Sequence, residues 1–281
     1  MTRPSFLVLP LAAIGLAMAG IVFAAPPIRP SDRRAADVDL ELVLAVDISY
    51  SMDPEEQALQ REGYIKALSS TEFLRALRQG IHGKIAITYF EWAGAHIQQV
   101  IVPWRIIEGP ESADAFGAEL ARAPYTRAMR TSISGALTYA LPLFESNPYR
   151  GLRRVLDVSG DGTNNNGPLV VDAREQVLAK GITINGLPIM LNRPNFGFAD
   201  IESLDVYYED CVIGGPGAFV IGIKDRTQFI EATKTKLILE VANLVPQARV
   251  IPVSSDKPRV SCTIGEKMWN ERWGGGGMDG R

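Results

Sequence analysis

The chain has 281 residues, 46% hydrophobic and 22% charged, with a formal net charge of -3. These proportions fit one globular domain and exclude wholesale disorder. The acidic balance and the lack of any Lys/Arg run argue against a nucleic-acid partner, and two histidines, His82 and His96, are too few for a His-rich zinc site.

In chain order, Arg3 precedes an uncharged apolar run, 6–25, that ends in the small residues Ala24 and Ala25. This reads as a cleavable export signal over 1–25. The run also approaches the about 20 apolar residues of a bilayer span, so an uncleaved membrane anchor is the alternative, weakened by Pro10. Either way the folded part is expected to be periplasmic or secreted. Residues 26–37, rich in Pro and Arg, are expected to be a linker. In an oxidising compartment Cys211 and Cys262 are expected to be bridged, the alternative being two separately buried thiols.

Residues 38–46, VDLELVLAV, predict a central strand covered on both faces. Pro54 opens a long helical stretch with acids in its first turn, and a second helical piece spans 71–78. The runs 84–92 and 97–107 are joined too closely for anything but a hairpin, and Pro103 marks the second as an antiparallel edge strand. Helices are predicted over 112–122 and 132–144, then a buried strand over 154–159. A helix at 170–179, a strand at 183–190, a helix near 200–210, a strand at 218–223 and a helix at 228–242 complete the pattern. The alternation predicts an α/β fold: a doubly wound, mainly parallel six-stranded sheet with one antiparallel edge strand and helices on both faces. The domain is assigned to 38–245. Residues 246–281 are read as a C-terminal extension whose Gly-rich end frays.

The chemistry centres on Asp47-Ile48-Ser49-Tyr50-Ser51, directly after the first strand. The spacing of two puts Asp47, Ser49 and Ser51 on one side of an extended segment, which makes a half-site for a hard cation. In doubly wound sheets ligands bind beyond the carboxyl ends of strands, where the strand order reverses. The strand over 154–159 is expected on the far side of the first from the hairpin. Its end, Gly160-Asp161-Gly162, would then face Asp47 across that switch point.

Here the chain resembles the von Willebrand factor A family, and the resemblance covers about 38–242. The family's metal-ion-dependent adhesion site joins a DxSxS loop, a Thr from a second loop and an Asp from a third. The counterparts are Asp47, Ser49 and Ser51, then Thr131 in RTSISGAL and Asp161 in VSGDGTNN. More narrowly, VDISYSMDPEEQ, ITYFEWAG, VSGDGTNNNG, INGLPIML and DCVIGGPGAFV look like the uncharacterised bacterial family DUF1194. Gly160 departs from the commoner Thr or Ser before the Asp, which leaves the role of Asp161, direct or through water, open.

The resemblance implies that the hydroxyls of Ser49, Ser51 and Thr131 bind the cation, with Asp47 and Asp161 acting mostly through water. One coordination position stays open for an Asp or Glu carboxylate of a protein or peptide partner. Mg²⁺ is the expected cation, with Mn²⁺ or Ca²⁺ as alternatives. The implied function is adhesion or binding and not catalysis. A metal-assisted hydrolase at the same crevice is the alternative, but no His or carboxylate pair typical of such enzymes accompanies the loop. A structural domain without metal function is a third reading. Asn164–Asn166 are expected to shape a turn, the alternative being that they rim the site; Asp157 is expected to be paired inside its strand, and Trp92 to be packed beside Glu91, which could face the ligand. Asp53 and Glu55 are expected to serve the helix N-terminus.

Overall fold

The apolar run at 38–46 forms β1 (Ala36–Asp47), buried from Val38 onward in the computed structural model, which describes residues 35–191, 201–244 and 258–273. The elements that follow are α1 (Pro54–Leu68), α2 (Thr71–Leu77), β2 (Ile85–Trp92), β3 (Gln98–Ile107), α3 (Pro110–Arg122) and α4 (Ile133–Glu145). Then come β4 (Tyr149–Gly160), α5 (Val170–Ala179), β5 (Thr183–Pro188), α6 (Leu204–Tyr207), α7 (Phe229–Ala242) and α8 (Ile264–Trp273). The expected export signal lies outside the described residues, as do most of the linker and the Gly-rich tail. Among the described residues no helix is long and apolar enough to cross a membrane.

The strands are ordered β3-β2-β1-β4-β5, with β3 antiparallel to β2 and every other pair parallel. The hairpin and its Pro-bearing edge strand are as the sequence predicts. Alternation along β1 divides the core. Leu40, Leu42 and Leu44 pack with Tyr64, Phe73, Phe116 and Phe229, on the side of α1, α2, α3 and α7. Val43 and Ala45 pack with Ile133, Leu137, Val170 and Tyr207, on the side of α4, α5 and α6.

The sheet has five strands, not the expected six. Residues 218–223 do run parallel to β5, with Gly186 N donating to Phe219 O (3.0 Å) and Ile221 N to Gly186 O (3.1 Å). One turn of the ladder later, Ile223 N donates to Pro188 O (2.9 Å), but Pro188 has no N–H to return. The pairing therefore reduces to isolated bridges at Gly186–Val220 and Ile189–Ile223. The helix expected near 200–210 is also shorter. It is the single turn α6, continued by a π-turn over Tyr208–Val212.

Asp53 caps α1, accepting from Glu56 N (2.8 Å) while Glu56 Oε2 accepts from Asp53 N (2.9 Å). Arg226 pairs with both Asp53 and Glu55, so these acids serve the helix start, as expected. Beneath the sheet, Lys236 of α7 sits between Asp157 of β4 (2.6 Å) and Glu240 (2.5 Å), all three buried. Asn185 of β5 donates to the same Glu240 carboxylate (3.0 Å), so the sequence reading of Asp157 as paired holds.

Burial, reinforced by the nearby Glu240 charge, pushes the Asp157 carboxyl up to about 7, against the pull of Lys236. A raised carboxyl pKa means that the native state holds a proton that the unfolded chain releases. This contribution to stability is present at low pH and is lost as pH rises between about 4 and 7. The urea midpoint of Asp157→Asn is expected to fall less across that window than that of the unaltered protein. Parallel pH profiles would refute the assignment.

Candidate metal centre

The parallel register of β1 with β4 aligns Val46 with Ser159. The carboxyl ends of both strands therefore open at one place, on the two sides of the strand-order reversal. Asp47 is the last residue of β1 and Asp161 is the first after β4. Asp47 Oδ1 accepts from Ser49 N (2.7 Å), which curls the loop so that its hydroxyls follow the carboxylate. Ser49 Oγ lies 2.8 Å from Ser51 Oγ, and Ser51 Oγ donates to Asp161 Oδ1 (2.6 Å). Four of the five expected residues thus join in one hydrogen-bonded chain, whose last link spans 110 positions of sequence.

Thr131 arrives by a second set of contacts. Residue 128 pairs with the DxSxS loop, Tyr50 N donating to Ala128 O (2.9 Å) and Ala128 N to Ile48 O (3.1 Å). Thr131 is buried, and its N–H donates to Asn165 Oδ1 (3.0 Å) while Asn165 N donates to Thr131 O (2.9 Å). Asn164 Oδ1 accepts from Ser134 N (3.0 Å) and Asn166 Oδ1 from Ala95 N (2.8 Å). The three asparagines are therefore not a local turn alone, because their side chains stitch the Asp161 loop to the Thr131 and hairpin loops. Asp47, Ser49, Ser51 and Asp161 are thus joined directly, and Thr131 lies on a loop that Asn165 ties to the loop of Asp161. No cluster of three or more His, Cys, Asp or Glu side chains suited to a metal occurs among the described residues.

Electrostatics single out Asp47. It is fully buried, and burial together with the facing Asp161 charge holds its carboxyl well above the usual range, while the Ser49 N–H pulls the other way. Its Oδ2 is buried without a hydrogen-bond partner, as is the hydroxyl of Tyr208. Two close carboxyl groups, one with a buried oxygen that has no partner, form a place that gains from a cation.

Glu91 does not face the site. It is buried and paired with Arg61 (2.7 Å), which also donates to Ala123 O (2.6 Å) and Pro124 O (2.8 Å) and so anchors the segment leading to Thr131. Trp92 is fully buried, as expected, and His82 and His96 are exposed loop residues. Tyr208 and α8 escaped the sequence reading, since neither carries a motif.

Gly160, the departure from the commoner pattern, has a steric cause. A Cβ there would lie 2.8 Å from Asp47 Oδ2, 3.1 Å from Asp47 Cβ and 3.1 Å from Tyr208 Oη. Gly160→Ala is therefore expected to destabilise the protein by about 1–3 kcal/mol, as overpacking does. Equilibrium urea unfolding measures this, and an unchanged midpoint would mean that Asp47 can move aside freely.

The model of the family described as "Protein of unknown function (DUF1194)" matches residues 37–245. Among curated proteins, none matches the chain in sequence. Solved structures share the fold at low identity. Proximal thread matrix protein 1 from the mussel byssus, with a zinc-occupied MIDAS motif, is 12% identical with a TM-score of 0.53, over 74% of this chain and 47% of that one. The pilus adhesin SpaC from Lactobacillus rhamnosus GG, in an open conformation, is 12% identical at TM-score 0.52, over 73% and 30%. A von Willebrand factor type A structure from Catenulispora acidiphila is 13% identical at TM-score 0.50, over 73% and 43%. The chain thus spans less than half the length of each of these proteins. Its α/β architecture is von Willebrand factor A-like, and the chain belongs to the DUF1194 family.

Proposed function

We propose that this protein is an exported binding module in which Asp47, Ser49, Ser51, Thr131 and Asp161 hold a divalent cation that captures a carboxylate of a protein partner. The carrying observation is the hydrogen-bonded chain from Asp47 through Ser49 and Ser51 to Asp161, at the switch point of the sheet. The donor set is all oxygen, which suits Mg²⁺, or Mn²⁺ or Ca²⁺, better than a soft metal. The orphaned Asp47 Oδ2 is the kind of buried atom a cation satisfies. The cation would supply electrostatic attraction for an incoming carboxylate. The protein's own residues fix it while contributing only two negative charges.

The surroundings support binding. Tyr50, Tyr125 and Met129 stand 57%, 55% and 62% exposed on the loops that flank the site. Arg127 reaches across these loops, donating to Tyr50 O (2.7 Å) and lying over the Tyr50 ring. Large side chains beside a charged centre are what a partner surface requires. Two of the similar folds come from proteins named as a byssus matrix protein with a MIDAS motif and a pilus adhesin. The disulfide between Cys211 and Cys262 supports a location outside the cytoplasm.

The test is Mg²⁺-dependent thermal stabilisation. Saturation to 100 times Kd contributes about 2.7 kcal/mol, or about 5–10 °C for a domain of this size. Asp47→Asn, which preserves shape, is expected to abolish the shift, and EDTA to reverse it in the unaltered protein. An undiminished Mg²⁺ shift in Asp47→Asn would sink the assignment.

A further inference from the structure

Residues 258–273 lie beyond the stretch that the family model matches, yet they are tied to the candidate site from two directions. Cys262 is bonded to Cys211, which sits in the π-turn after α6. Just before it, Arg259 is gripped by Glu209 (2.6 Å) and Asp210 (2.7 Å). From this anchor α8 crosses the loop that follows Asp161. Gly265 is buried against that loop so closely that a Cβ would collide with Asn164 O and Thr163 Oγ1.

Two side chains of α8 then reach inward. Glu266 Oε1 accepts from Asn164 Nδ2 (2.8 Å). Asn164 is fully buried, and its remaining bonds go to Ser134 N (3.0 Å), Pro168 O (3.1 Å) and Tyr207 Oη (3.2 Å). Both amide hydrogens and the amide oxygen are thereby engaged, with the Tyr207 bond made by the backbone N–H, so the amide is oriented by Glu266 on one side and by the first turn of α4 on the other. The Trp269 ring lies 3.3 Å from the guanidinium of Arg130. Arg130 has φ +76, a left-handed backbone that a non-glycine residue adopts only when its surroundings hold it there, and Thr131 follows directly.

We propose that α8 is the positioning element of the cation site, and that Glu266 is the positioning residue through which it acts. The Glu266 carboxylate fixes Asn164, Asn164 fixes the loop of Asp161 against α4, and Trp269 fixes the turn that presents Thr131. This rests on the cation reading above. An isolated ten-residue helix is marginal in water, so its docking depends on the Cys211–Cys262 bond. Outer partners of this kind weaken metal binding about 10–100-fold when removed.

The test uses the full chain as Glu266→Ala, Glu266→Gln and the double variant Cys211→Ser with Cys262→Ser. Amide hydrogen exchange in EDTA reports on the Thr131, Ser134 and Asn165 N–H groups, and calorimetry with Mg²⁺ alone reports affinity on the same samples. Glu266→Ala and the cysteine variant are expected to exchange about tenfold faster at those amides, with β1 and β4 unchanged, and to bind Mg²⁺ about 10–100-fold more weakly. Glu266→Gln keeps an acceptor for Asn164 and is expected to behave like the unaltered protein. The proposal is overturned by unchanged exchange in Glu266→Ala, by acceleration spread equally over β1 and β4, or by unchanged Mg²⁺ affinity despite loosened loops. Unaltered protein that takes up no Mg²⁺ removes the cation reading, while the exchange result still decides whether α8 holds the two loops.

Discussion

The candidate site depends on how closely β1 and β4 end. Their pairing aligns Val46 with Ser159, which leaves the next residues, Asp47 and Gly160, side by side where both strands leave the sheet. Asp47 fills the space that a side chain at 160 would need, so its carboxylate is packed in by backbone and held by the Ser49 N–H. A carboxyl group rarely tolerates such burial without compensation. The compensation is distributed among a facing loop, a run of hydroxyls and, on the reading proposed above, a cation.

The same economy recurs deeper in the fold. Asp157, Lys236 and Glu240 are buried together, and Arg61 is buried with Glu91. Buried ion pairs of this kind contribute little net stability, because desolvation offsets most of the attraction. Here they join elements that are distant in sequence. Lys236 fixes α7 against β4, and Arg61 reaches from α1 to the carbonyls of Ala123 and Pro124, holding the approach to Thr131.

How much of this was legible in the sequence follows from the range of each interaction. β1 and β4 were readable because burial on both faces writes a continuous apolar run. Asp47, Ser49 and Ser51 were readable because period two places them on one side. Thr131 and Asp161 needed the predicted strand order as well, and in the structure Asn165 ties the Thr131 loop to the loop that follows Asp161. The sixth strand failed on one atom, since a run of apolar residues does not reveal that the partner strand offers Pro188 where an N–H is needed. Asn164–Asn166 looked like turn formers because their partners, Ser134, Thr131 and Ala95, lie about 30 to 70 residues away. Helix α8 was invisible for a related reason. Only Gly265 of it is buried, and its hold comes from Ile264 against the core, a disulfide, a carboxylate and a ring over a guanidinium.

These contacts also bear on why so little charge surrounds the site. A divalent ion held by two carboxylates and hydroxyls keeps much of its field for whatever enters from solvent. Such an arrangement works only if weak ligands are held in place beforehand, because hydroxyls cannot recruit a cation by charge as a cluster of carboxylates does. Preorganisation must then come from outside the ligand set. Here it comes from the Asn amides that join the loops, from Arg61 behind the Thr131 segment and from α8 behind Asn164. Their common effect is to restrict backbone. On the proposed reading, that restriction substitutes for the negative charge that the protein leaves to its partner.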